Sequence, residues 1–229
     1  AYPKKRQWIL DTLSLKHDRI FFVDADEIVT PELIAEIKKL DWSCAGYFVR
    51  GRYILRGKLL RHGLHNNKLV LFDRRKIEFP VIDDLDCDGM GEMEGHYQPV
   101  LKPQHKGKKI GQLKKFMLHE ALDDQAAWLR RHERYARWEA GMNAKNAWTC
   151  DPVPFRQCLK VLFRNAPCRP LIAFLHAYIL KRGFLDGREG FKFAASRALY
   201  YRLVAKASRA QGNNAAACNS PFAPQKSKH

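Results

Sequence analysis

The chain has 229 residues, with 41 Lys and Arg against 24 Asp and Glu, a formal net charge of +17, and 46% hydrophobic residues. That hydrophobic share excludes a disordered chain, the length suits one domain or one domain with an appendage, and no apolar run approaches the roughly 18–20 residues that a bilayer-spanning helix needs. The positive charge points to an anionic partner: nucleic acid, a phosphate-bearing ligand or an acidic membrane surface.

The chain opens on Ala1-Tyr2-Pro3-Lys4-Lys5-Arg6, without Met and without the apolar run of a signal peptide. Trp8 to Leu15 read as the end of an amphipathic helix, so the chain is expected to enter inside a domain, with upstream sequence missing. Arg19-Ile20-Phe21-Phe22-Val23 is a short run of β-formers and predicts a buried strand. It stops in Asp24-Ala25-Asp26-Glu27. Thr30-Pro31-Glu32-Leu33 then opens a helix to about Leu40: Thr30 suits the N-cap, Pro31 the first helical position, and Glu32 the positive end of the helix dipole.

Gly46 to Arg50 and Lys68 to Phe72 read as two further strands, separated by a basic segment with Arg50, Arg52, Arg56, Lys58, Arg61 and His62. Residues 80–111 are rich in Gly, Pro and acid and predict loop with short strand, a length that in a compact domain is usually functional. From Leu113 the pattern looks helical. Asp123 or Asp124 suits the cap of a helix through Trp128, His132, Tyr135 and Glu139, ending near Gly141. Residues 155–165, 169–182 and 191–209 predict three more helices, and the Asn/Ala/Ser/Pro/Lys-rich stretch from Ala210 predicts a disordered tail. The expected division is 1–142, 143–209 and 210–229. The six cysteines (44, 87, 150, 158, 168 and 218) contain no C-x-x-C pair. Zinc is therefore poorly supported, and free thiols in a reducing compartment are expected, although their even number permits disulfides.

Asp24-x-Asp26 carries most information. Two carboxylates directly after a buried strand repel each other unless a cation lies between them, and ligands of open α/β sheets bind beyond the carboxyl ends of strands. Hard ions such as Mg²⁺ or Mn²⁺ take carboxylate and phosphate oxygens, so a metal–diphosphate site is one reading. A solvated acidic turn is the other. An EF-hand is excluded by the missing Gly and twelfth-position Glu.

The stretch FFVDADEIVTPEL resembles the central motif of family 2 glycosyltransferases, which have the GT-A fold, and within them bacterial enzymes of lipopolysaccharide core and exopolysaccharide synthesis. The resemblance continues through KLVLFDRR, GEMEGHYQP, LHEAL and RHERYARWEA to RGFLDGREGFKFAASRALYYRLVAKA, over about residues 1–209. It implies an α/β, GT-A-like fold with an incomplete Rossmann-like mixed sheet and a C-terminal helical region. It implies an enzyme that moves a sugar from a nucleotide-diphosphate donor to a saccharide or lipid-linked acceptor, with inversion, assisted by Mg²⁺ or Mn²⁺. It also implies that an N-terminal portion carrying base recognition is absent here.

Under that resemblance Asp24 and Asp26 face the metal and the ribose–diphosphate. The leaving diphosphate needs neutralising charge, and the acceptor hydroxyl needs a carboxylate base. Glu94 is the first candidate base and Glu92 the second, in Gly91-Glu92-Met93-Glu94-Gly95-His96, with Asp83, Asp84, Asp86 and Asp88 nearby. Arg61, His62, Arg74 and Arg75 are candidates for phosphate or acceptor, read first as solvated. His119 is read as a packing residue. Trp128, His132, Tyr135 and Glu139 share one helix face, an arrangement that is more often core; His132 and Tyr135 are nevertheless the acceptor-binding candidates.

From Asp151 onward there are 14 Lys and Arg against three Asp and Glu, hence a local charge of +11. Aromatic and basic residues mixed on amphipathic helices suit interfacial association with an anionic membrane surface, or their apolar faces pack on the rest of the chain. The expected place is cytoplasmic, peripheral on the inner face of the bacterial cytoplasmic membrane. Two alternatives stand beside this: a basic nucleic-acid-binding protein, disfavoured because no binding motif appears and no nucleic acid is expected as partner, and a catalytically silent fragment of a glycosyltransferase.

Overall fold

A computed structural model describes residues 5–81, 98–120, 124–148 and 154–218. Helix α1 (Lys5–Thr12) leads into β1 (Arg19–Phe21). The acidic turn follows, then β2 (Glu27–Val29) and α2 (Pro31–Lys38). The N-cap is as the residue types required: Thr30 Oγ1 accepts the Leu33 amide at 3.3 Å while donating to the Phe116 carbonyl at 2.7 Å.

Strands β3 (Gly46–Leu55), β4 (Lys58–Leu59), β5 (Asn66–Asp73) and β8 (Ile110–Glu120) complete a six-stranded sheet in the order β1-β5-β3-β8-β2, with β4 on β3. The β3–β8 pair is parallel and the others antiparallel, so the sheet is mixed. Strands β6 (Ile77–Glu78) and β7 (Val100–Leu101) form a separate pair. The protein is thus mixed α/β with C-terminal helices.

Strand β5 is buried on both faces, which explains its unbroken run Leu69-Val70-Leu71-Phe72. On one side Val70 and Leu71 join Leu33, Val49, Leu113 and Met117 beneath α2. On the other, Leu69 and Phe72 join Leu10, Ile77 and Phe79 beneath α1.

The expectation of helix from Leu113 is corrected: residues 110–120 are an eleven-residue strand. Leu113 and Met117 are spaced by four and both buried, as on a helix face. A strand also places residues four apart on one face, so the spacing does not separate the two; the register is irregular besides, Phe48 pairing with Gln112 but Arg50 with Phe116, so extra residues bulge out of β8. The two amides freed there, of Lys114 and Lys115, donate to the Glu36 carboxylate at 2.9 and 2.8 Å.

Helix α3 (Gln125–Lys145) is N-capped by Asp124, which accepts the Ala126 amide at 2.9 Å. It runs past Gly141 to a left-handed Asn146 cap, so a boundary at 142 would cut an intact helix. Helices α4 (Pro154–Asn165) and α5 (Arg169–Leu175) follow; α5 continues as a π-turn, His176–Leu180. The last helix, α6 (Gly187–Cys218), extends beyond the expected end at 209, through the strong helix formers Ala215 to Ala217.

Asp186 fastens these helices to the sheet. Its carboxylate accepts the amides of Arg61 at 3.0 Å and His62 at 2.8 Å, and its carbonyl accepts Lys58 Nζ at 2.8 Å. The approach is close enough that a Cβ on Gly190 would run into the Gly183 carbonyl.

Candidate active site

The acidic turn is held between β1 and β2. Phe22 still donates to the Val70 carbonyl at 2.9 Å, so the chain leaves β5 only at the carboxylates. The turn is closed by the Glu27 amide on the Asp24 carbonyl at 3.0 Å, and the Asp24 amide in return donates to Glu27 Oε2 at 3.0 Å.

Charge converges here from distant parts of the chain. Lys68 of β5, its side chain 9% exposed, bridges Asp24 Oδ2 at 2.6 Å and Glu27 Oε1 at 2.7 Å. Arg6 of α1 pairs with Asp24 Oδ1 and lies 5.4 Å from the Phe22 ring centroid. Both oxygens of Asp24 are therefore engaged by cations. Asp26 is freer, with a side chain 38% exposed, and its backbone carbonyl accepts the Glu120 amide at 2.8 Å.

His119 completes the cluster. Glu27 pairs with His119 across β2–β8, and Tyr53 pairs with His119 across β3–β8, so the three side chains form a row on one face of the sheet. Tyr53 meets the imidazole edge-on at 5.1 Å and also contacts Phe193 of α6 at 4.9 Å. His119 does pack, as expected, but its Nδ1 points elsewhere: it lies 3.7 Å from Asp26 Oδ1 and 3.8 Å from Glu27 Oε1, buried and without a hydrogen-bond partner.

The electrostatics follow from burial and pairing. Burial alone would raise the Glu27 carboxyl, but His119, the Asp24 amide and Lys68 outweigh it and bring its pKa to about 2. The imidazole is beyond hydrogen-bond length, so the amide and ammonium contacts carry the firmest part of that effect. Burial pushes Lys68 down and its two carboxylates more than restore it, so its pKa is raised and it stays charged. Burial raises the Tyr53 hydroxyl. Three carboxylates, of Asp24, Asp26 and Glu27, meet here with the cations of Lys68 and Arg6, and both cations are directed at Asp24 or Glu27 rather than at Asp26. Among the described residues, no three His, Cys, Asp or Glu side chains converge to enclose a metal ion. A cation held at Asp26 would need further oxygens from a ligand, whereas at Asp24 it would have to displace Arg6 or Lys68.

The other expected residues lie elsewhere. Glu92 and Glu94, with Asp83, Asp84, Asp86, Asp88 and His96, are outside the described residues. His132 stacks on Trp128 at 3.8 Å, and its Nδ1 donates to the Trp128 carbonyl at 2.8 Å. Tyr135 is buried with Trp138 and Met142, and Glu139 pairs with Arg169 and accepts the Tyr200 hydroxyl at 2.6 Å. This face of α3 is filled by the chain's own rings, from α3 and α6. Burial, with Arg131 and Arg197 nearby, lowers the His132 pKa to about 4. Arg74 and Arg75 pair with Asp18, and Arg75 also with Asp73. Cys44, Cys158 and Cys168 are free thiols.

Sequence reasoning left Lys68 and Arg6 without a role. Lys68 had a signal: a lysine inside a run of buried strand residues requires a counter-ion, and the acidic turn supplies two. Arg6 had none, because nothing local ties α1 to the turn.

No protein-family model matches the chain, and no solved structure matches it.

Proposed function

We propose that this chain is the donor-binding part of a GT-A glycosyltransferase of the family 2 type. It moves a sugar from a nucleotide diphosphate to a saccharide or lipid-linked acceptor, with inversion, in bacterial envelope polysaccharide synthesis. The observation that carries the proposal is the acidic turn at the end of β1, where Lys68 and Arg6 engage Asp24 and Glu27 while the Asp26 side chain stays 38% exposed. The resemblance of FFVDADEIVTPEL supports it.

In this reading Asp26 would hold Mg²⁺ or Mn²⁺, which would supply positive charge against the leaving diphosphate. Asp24 faces the ribose–diphosphate side. Lys68 and Arg6 fix Asp24 in direction, and Glu27, charged at any working pH, anchors Lys68. Glu94 is the proposed base and Glu92 the second candidate. The working place is the inner face of the bacterial cytoplasmic membrane, where a lipid-linked acceptor would be presented; no described helix is long and apolar enough to cross a membrane.

The test is transfer or hydrolysis with a panel of nucleotide sugars and Mn²⁺. Asp26→Ala is expected to abolish turnover with the melting temperature retained. Glu94→Gln is expected to abolish turnover while nucleotide binding persists. Full activity in Asp26→Ala refutes the assignment of the turn.

A further inference from the structure

Helix α4 is amphipathic in an unusual sense. At about 100° per residue, Phe155, Cys158, Leu159 and Leu162 share one face. That face points away from the chain: Phe155 is 73% exposed, Leu162 67% and Leu159 48%. The better-covered Phe163 lies beside this face and Arg164 behind it. Phe163 meets Tyr201 edge-on at 5.0 Å, and the Arg164 guanidinium stacks on Trp148 at 4.3 Å. None of residues 155–165 is buried. An ordinary surface helix turns its apolar face inward; α4 turns its own outward.

A second exposed apolar stretch follows at Leu171, Leu175, Ile179 and Leu180, the last 72% exposed. The charge around these side chains has one sign. Residues 154–218 hold 12 Lys and Arg but only two carboxylates. Neither carboxylate is presented to solvent as a free anion: Asp186 is buried against the Arg61 and His62 amides, and Glu189 binds Lys192 at 2.9 Å. Arg156, Lys160, Lys181, Arg182 and Arg188 are exposed cations.

We infer that α4 is a membrane-docking helix: it lies flat in the headgroup layer of an anionic bilayer, with Phe155, Leu159 and Leu162 among the acyl chains. The helix has no acid, and Arg156, with Lys160 next to it, stands on a long stem to one side of the apolar face, within reach of the phosphates as Phe and Leu insert. A surface with aliphatic side chains two-thirds exposed among cations suits lipid better than a nucleic-acid backbone, which would leave the apolar area wet. The inference rests on this surface alone and stands if the glycosyl-transfer proposal fails.

The experiment is co-sedimentation of the full chain with phosphatidylcholine vesicles, with and without phosphatidylglycerol, at low and high salt. Binding is expected only with phosphatidylglycerol and is expected to weaken with salt. The double variant Phe155→Ser/Leu162→Ser is expected to lose about tenfold or more in partitioning at an unchanged melting temperature. Leu162→Gln alone, a gentler change, is expected to show a smaller loss in the same direction. Equal partitioning of wild type and both variants overturns the inference, as does failure to bind anionic vesicles. A dimer in size-exclusion chromatography that the double variant makes monomeric, with no vesicle binding, assigns the face to self-association and overturns it equally.

Discussion

Around β1 and β5 the charges lie inside and are paired; on α4 Arg156 and Lys160 are exposed, beside apolar side chains that nothing among the described residues covers. Lys68 sits between Asp24 and Glu27 at hydrogen-bond lengths, whereas Phe155 and Leu162 stand exposed on the far side of a helix with three cations and no acid. In the first region the chain satisfies its own electrostatics and leaves one carboxylate over. In the second it leaves apolar surface uncovered among the described residues. The contrast teaches where substitutions should be felt: severely for folding in the first region, hardly at all in the second.

The sharpest way to break the comparison is Lys68→Met. It strands Glu27, whose side chain is 1% exposed, and removes one of two partners of Asp24. Removing one partner of a buried ion pair costs about 3–5 kcal/mol, and urea denaturation should show that loss. Adding Glu27→Gln should recover part of it; a double mutant worse than the sum of the singles would contradict the pairing.

Acid sharpens the same point. Glu27 is held at about 2 against an ordinary 4.5, a depressed carboxylate. Its contribution is present above 4.5 and is lost as pH falls from there through about 2, of order 3 kcal/mol in total. His132 acts in a different window. Its folded pKa is about 4 against an ordinary 6.5, so the folded state disfavours the proton that the unfolded chain accepts. Stability from that source is present above 6.5 and lost as pH falls from 6.5 through about 4, of order 2 kcal/mol after allowing for partial exposure. Stability against pH should therefore decline in two stages, and His132→Phe should flatten the upper one alone.

Between the two regions stands Asp186. Asp186→Ala leaves the Arg61 and His62 amides unsatisfied and should cost about 2–3 kcal/mol, measured by thermal denaturation. The smallest effect belongs to α4: Leu162→Gln should move stability by less than about 0.5 kcal/mol, because the side chain touches little. A large loss there would mean that α4 is part of the core.

Much of the frame was legible in the residues. Thr30-Pro31 marked the start of α2, and the β-formers before Asp24 marked β1, because both signals are local. The long strand β8 was not legible: Leu113 and Met117, four apart, suit a helix face as well as a strand face, and the group that holds its bulge, Glu36, lies far away in sequence. Strand β2 is only three residues long and reads as part of the turn before α2. The acidic turn was found because carboxylates after a strand are conspicuous, but its cations come from β5 and α1, and only the fold brings them in. His119 was read as packing, and its contact with Tyr53 agrees; the unpaired Nδ1 between two carboxylates depends on alignment across β2, β8 and β3.

The central claim is that the turn at Asp24 and Asp26 binds a divalent cation together with a nucleoside diphosphate. Thermal shift with Mn²⁺, uridine diphosphate and both together tests it directly. The account predicts protection that needs both components and disappears in Asp26→Ala, with the unliganded melting temperature unchanged. Protection by the nucleotide without metal, or equal protection of Asp26→Ala, would contradict it.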